Sequence, residues 1–170
     1  MTLLFEDGDL LQFEKADFIV QQCNCLSVKP HGLAESIARA FPEADTYSKR
    51  QAMGSRNLAC PKDRAIPGSI TIHNRVINMY AQWRPGRIGA PYFSAYPDGE
   101  EKETSLTRQK WFSECLDAIS TKLGKEPKTI AFPFKIGCGL AGGDWKVYEK
   151  MLQDFAARNP QHKVIIVTQR

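Results

Sequence analysis

An α/β fold, a sheet of buried strands with helices on both faces, is predicted by two features of the sequence. Short apolar runs rich in β-branched residues alternate along the chain with segments of helical period. Two of the strand-type runs lead through glycine loops directly into helices, which is the connectivity of βαβ units. A hydrophobic fraction of 42% and a charged fraction of 25% over 170 residues suit one domain with a proper core.

The elements follow in order. Thr2–Glu6 is a short apolar run closed by the turn residues Asp7, Gly8 and Asp9. Phe18–Gln22 reads as a strand. Gly32 opens a helix in which Leu33, Ile37 and Phe41 share a face, and Pro42 ends it. A second helix is expected over Glu43–Met53, stopped by Gly54. Ser69–His73 and Val76–Tyr80 are two β-type runs joined tightly through Asn74 and Arg75. Trp83–Gly99, with three prolines and three glycines among aromatics, is a long loop. Thr104–Leu123 is the clearest helix, with an apolar stripe at Phe112, Cys115, Leu116, Ile119 and Leu123, a cap at Thr104 and a stop at Gly124. Thr129–Pro133 is a buried-type strand. Asp144–Ala157 is a helix whose Val147, Met151 and Phe155 step by four, and Val164–Thr168 is a last apolar strand.

Charge and cysteine usage narrow the function classes. The net charge of +4 is mild and the basic residues are scattered, so an anionic small ligand fits and a nucleic-acid arm is not indicated. The five cysteines include no CxxC pair, which argues for free thiols in a reducing compartment and against a metal site. The Met1 to Asp9 stretch lacks a basic region followed by a long apolar run, so no signal peptide is expected. No stretch of about 18 apolar residues is present to span a membrane.

The chemistry concentrates in the two glycine loops. The first runs from Gln22, Cys23, Asn24 and Cys25 to Lys29, Pro30, His31, Gly32, Leu33 and Ala34. The second runs from Lys135 to Asp144 and holds four glycines in the seven residues from Gly137 to Gly143. Glycine lets an anion approach main-chain N–H groups, and a helix N-terminus adds free donors and a partial positive charge. Two such units side by side make a diphosphate cradle that needs few basic side chains. In open α/β sheets ligands bind outside the carboxyl ends of the strands, where both loops lie.

Four strings together resemble the macrodomain family: Gly8-Asp9-Leu10, Ile19-Val20-Gln21-Gln22-Cys23-Asn24, His31-Gly32-Leu33-Ala34 and Ile136-Gly137-Cys138-Gly139-Leu140. The resemblance covers essentially the whole chain, and the IGCGL string is similar to the branch of ADP-ribose-1''-phosphate phosphatases and glutamate- and DNA-directed ADP-ribosyl hydrolases. It implies a three-layer α/β/α fold with a mixed central sheet, ADP-ribose or an ADP-ribosylated molecule as ligand, and no cofactor or metal. Carried over by position, it implies that Asp9 takes the adenine amino group, that Asn24 holds the distal ribose, that Gly32, Leu33 and Ala34 form the first phosphate loop, and that Gly137, Cys138, Gly139, Leu140 and Ala141 form the second. Leu10, Gln22 and Ile136 count among the binding residues on the same ground. A monomer in the cytoplasm or nucleus is expected, with nucleic acid a partner only when ADP-ribosylated.

The departures from the family bear on mechanism. Gln82 stands where related hydrolases carry an attacking lysine, and a neutral amide forms no Schiff base. Ala141 stands where one related family places an acid. The remaining catalytic candidates are Asp144, either a helix N-cap or a carboxylate that orients water, and His31, either an exposed loop residue or a proton donor. Cys23, Cys25 and Cys138 lie near the expected cleft and read first as packing thiols. The aromatics and arginines of the 83–99 loop, Trp83, Arg84, Arg87, Tyr92, Phe93 and Tyr96, either cover the ligand or pack on the surface.

Overall fold

The computed structural model of the chain describes residues 3–169. Six strands form one sheet: β1 (Leu4–Asp7), β2 (Phe18–Asn24), β3 (Ile70–His73), β4 (Val76–Gln82), β5 (Thr129–Pro133) and β6 (Lys163–Thr168). Their order is β1-β6-β5-β2-β4-β3. All neighbouring pairs are parallel except β3 with β4, so the sheet is mixed, as expected. The antiparallel pair turns through Asn74, which takes a left-handed φ of 54°. Thr2, the head of the first expected run, lies outside the described residues, as does Met1, which opens the stretch read for a signal peptide.

Three helices cover the sheet: α1 (Leu33–Ala40), α2 (Ser105–Leu123) and α3 (Trp145–Arg158). Successive strand residues point to opposite faces, and the two cores divide accordingly. Val20, Ile77, Met79, Ile130, Phe132, Val164 and Ile166 pack under α2 and α3. Ile19, Val76, Ala131, Ile165 and Val167 pack on the other face with Ile37 of α1 and with Leu10, Phe13 and Ala16. Burial on both faces explains why these strands read as continuous apolar runs rather than as alternating ones.

Two expectations need correction. No α-helix forms over Glu43–Met53; a single 3-10 turn at Pro42–Ala44 is followed by turns. Asp45 is one reason: its carboxylate accepts from Ser48 N at 3.2 Å, a local bond that competes with the helical ladder. Arg50 is the other, because its side chain is committed to the first glycine loop, where it donates to Asn24 O at 3.0 Å and Ser27 O at 2.9 Å. The buried face of α3 also lies one residue on from the expected one. Tyr148, Leu152, Phe155 and Ala156 are buried, while Val147 and Met151 sit at the margin. Tyr148 sets this phase by packing edge-on against Phe112 of α2, with ring centroids 4.7 Å apart.

The helix ends are as expected. Thr104 Oγ1 accepts from Thr107 N at 3.1 Å at the start of α2, and Gly124 ends that helix with φ of 64°. Asp144 caps α3. None of the helices among the described residues is long and apolar enough to cross a membrane.

Candidate functional site

β2, β4 and β5 run parallel and end together at Asn24, Gln82 and Pro133. A cleft of about 770 Å³ opens there, between the two glycine loops. The loop after β4 forms its third wall, through Pro85, Gly86, Tyr92 and Tyr96.

The first loop is held from below. Asn24 Oδ1 accepts from Leu26 N at 3.0 Å and Ser27 N at 2.8 Å, an Asx-type turn at the strand end. Asn24 N donates to Tyr47 Oη at 3.0 Å. The buried Arg50 guanidinium lies 5.0 Å from the centroid of the Tyr47 ring and donates to two loop carbonyls. The loop ends at Gly32, φ 61°, and the main-chain N–H groups of Leu33 and Ala34 at the start of α1 form no hydrogen bond with the described residues.

The second loop is wound more tightly. Ile136 N donates to Pro133 O at 3.1 Å, Cys138 N to Lys135 O at 2.8 Å and Gly143 N to Gly137 O at 3.0 Å. The N–H groups of Gly137, Gly139, Leu140 and Ala141 form no hydrogen bond with the described residues. Gly137 cannot be another residue here: its φ is 78°, and a Cβ would lie 2.7 Å from the Tyr148 ring and 2.9 Å from Gln22 Oε1. Lys135, just before it, holds a left-handed φ of 62° without being glycine, a local strain of the kind that gathers at functional sites.

Charge in the cleft is one-sided. Lys29, His31 and Lys135 line it, and none of the described lining residues is Asp or Glu. Its floor is neutral. Gln82, 7% exposed, donates from Nε2 to Arg84 O at 3.0 Å and accepts from Gln22 Nε2 at 2.7 Å. Gln82 is therefore a fixed amide. At the rim Leu140 is 72% exposed, and Phe134 and Tyr92 are exposed lining residues as well.

The structure brings most of the expected residues together. Gln22, Asn24, His31, Gly32, Leu33, Ala34, Ile136, Gly137, Gly139, Leu140 and Ala141 all line the cleft. Four do not. Leu10 is buried in the core beside Phe13. Asp9 is exposed and spends one carboxylate oxygen on Leu11 N at 3.0 Å. Asp144 accepts from Lys146 N at 3.1 Å as the cap of α3. Cys138 turns its sulfur to Ile136 O, and burial, with Asp144 nearby, pushes the thiol up to about 11. In the 83–99 loop only the tyrosines among the expected aromatics and arginines reach the cleft; Arg84 is buried and Trp83 donates to Pro97 O at 2.9 Å.

The architecture has solved counterparts. The macrodomain of Mycobacterium tuberculosis DarG superposes with a TM-score of 0.66, covering 97% of this chain and 96% of that one, at 20% identity. The macrodomain of Thermus aquaticus DarG gives 0.63 at 18% identity, covering 99% and 97%. This is the macrodomain fold. A glycine-to-valine mutant of the Oceanobacillus iheyensis macrodomain, solved with ADPR, shares that fold with a TM-score of 0.56 and 15% identity, covering 96% of this chain and 83% of that one. No protein-family model and no curated protein matches the sequence.

Sequence reasoning missed three buried charged residues that bond the main chain around the cleft: Arg50 at the first loop, Glu103 at the exit of β4 and Arg108 at the second loop. Arg108 carried a usable signal. It falls in phase with Phe112, Cys115 and Ile119 on the apolar stripe of α2, and a charged residue in a buried phase points to a paired strut.

Proposed function

We propose that the cleft binds ADP-ribose, with the diphosphate across the two glycine loops. The observation that carries this reading is that both loops line one cleft with residues whose main-chain N–H groups form no hydrogen bond with the described residues, and that no described carboxylate lines it. Fixed amide dipoles take up an anion with little reorganisation, and Lys29 and Lys135 add long-range attraction. The rim residues Tyr92, Phe134 and Leu140 offer apolar surface to a purine. That a related fold was solved with ADPR supports the same ligand.

A second reading, hydrolysis of ADP-ribose 1''-phosphate or of an ADP-ribosylated acceptor, rests on His31. It is exposed on the first loop and faces the cleft, where an imidazole can exchange a proton with a leaving oxygen. Gln82 supports no lysine adduct, and Asp144 stands outside the lining. Titration calorimetry with ADP-ribose is the test, run beside assays for phosphate release from the 1''-phosphate and for ADP-ribose release from modified protein and DNA. Saturable one-to-one binding is expected. Binding with turnover of any of these substrates establishes the hydrolase, and binding with none establishes a reader module. Absence of ADP-ribose binding overturns the reading.

A further inference from the structure

We propose that Arg108 is a positioning residue for this cleft, fixing the spacing between the loop that follows β4 and the second glycine loop. The proposal rests on the ADP-ribose reading above. Arg108 rises from the first turn of α2 and is 3% exposed. Its Nη1 donates to Gly86 O at 2.8 Å and to Ala141 O at 3.1 Å, one acceptor from each loop. Its Nη2 donates to Arg84 O at 3.0 Å, and its Nε to Glu103 Oε2 at 2.8 Å. Gly86 and Ala141 line the cleft, and Arg108 does not. It therefore acts on a ligand only through the carbonyls it holds.

Three further contacts make the strut specific. Glu103 neutralises the guanidinium and accepts from Trp83 N at 2.8 Å and Arg84 N at 3.0 Å, tying down the exit of β4. Arg84 O, held by Arg108, also accepts from Gln82 Nε2, so the same carbonyl orients the amide pair on the cleft floor. The two loops also touch directly: a Cβ on Gly142 would lie 2.7 Å from Arg87 Cβ. A planar fork reaches these acceptors at once, whereas an ammonium on a flexible stem does not reproduce that geometry. Arg108 thus sets how far apart the free N–H groups of the second loop stand from the wall opposite them, and anion binding is sensitive to that distance.

The test compares Arg108→Lys with a matched control, Arg75→Lys. Arg75 also donates to two carbonyls, Phe13 O at 2.7 Å and Ala16 O at 3.4 Å, but sits at the amino end of β4, away from the cleft. ADP-ribose affinity, melting temperature and amide hydrogen exchange are measured for both. Arg108→Lys is expected to weaken ADP-ribose about tenfold or more. It should speed exchange together at the bonded loop amides, Trp83 and Arg84 on one side and Cys138 and Gly142 on the other, while the strand amides stay protected, and Arg75→Lys should keep its affinity. An Arg108→Lys affinity within about twofold of the parent overturns the proposal. So does faster exchange through the whole sheet, or loss of affinity in step with melting temperature in both variants. Should the parent chain itself not bind ADP-ribose, the functional reading fails, and exchange in the two loops still decides whether Arg108 spaces them.

Discussion

Gly137 lies where three demands meet: a left-handed backbone, the edge of the Tyr148 ring and the Gln22 side chain beneath. Gly139, two residues on, has nothing within 4 Å of its would-be Cβ. The two glycines are equivalent in the sequence and opposite in the structure. Gly137→Ala is expected to destabilise the fold by about 1–3 kcal/mol through strain and collision, and to weaken ADP-ribose as the loop shifts. Gly139→Ala should leave thermal stability unchanged. Melting curves for the pair check this, and equal losses at both positions would contradict the described loop. At this scale the loop glycines and Asn24 were legible, because each announces its own backbone need, a left-handed φ or an Asx-type turn. Arg108 showed only its place on the apolar stripe of α2, and Glu103, just before that helix, showed nothing. A charged residue reads as solvated until its partners are known, and here most of them are main-chain groups of other loops.

Helix ends are settled by short-range chemistry. Thr104, Gly124 and Asp144 were all readable as caps or stops, because an N-cap oxygen bonds two or three residues away. The segment 43–53 was misread for the converse reason: what unwinds it is Arg50 reaching back to 24 and 27. The face of α3 was displaced by one residue because a ladder of fours drifts around a helix of 3.6 residues per turn. Contact with Phe112, which the local pattern does not contain, fixes the phase at Tyr148. Asp144→Ala should cost about 0.5–2 kcal/mol of stability as the cap is lost. Its ADP-ribose affinity should stay within about twofold of the parent. Denaturant unfolding and calorimetry on one preparation separate the two effects. A large fall in affinity with little loss of stability would return Asp144 to the site.

Across the whole molecule, packing seals two of the three thiols that the sequence placed near the cleft, Cys23 and Cys25, in a small cluster with Tyr47 and Tyr80, and seals Cys115 in the core under α2 and α3. Cys23, Cys25 and Cys115 are fully buried. Burial pushes Cys23 up to about 12 and drives Cys25 and Cys115 well above the usual thiol range. The thiolate is the reactive form, so alkylation of these three should wait for unfolding of the molecule, while the half-buried Cys60 and Cys138 react first. If ADP-ribose binds only the folded state, ligand at about 100 times its Kd should slow labelling of the buried three by about a hundredfold. Mass spectrometry of the labelled chain reads this directly. Rapid native-state labelling of Cys23 would show that the first loop opens without the rest. The sheet with helices on both faces was readable from the alternation of elements and its mixed character from the family resemblance, whereas the strand order was not, since no local pattern tells β1 which neighbour it will find.

That neighbour has a consequence for how the molecule is made. β1 is an edge strand, and among the described residues its one sheet partner is β6, with Leu4 beside Ile165. During synthesis the first strand therefore waits, unpaired, until 163–168 have left the ribosome. The interior strands β2 and β4 have each other much earlier. Closing so long a stretch of chain is slow, and Leu4–Asp7 stay open to chaperones and proteases until Lys163–Thr168 arrive.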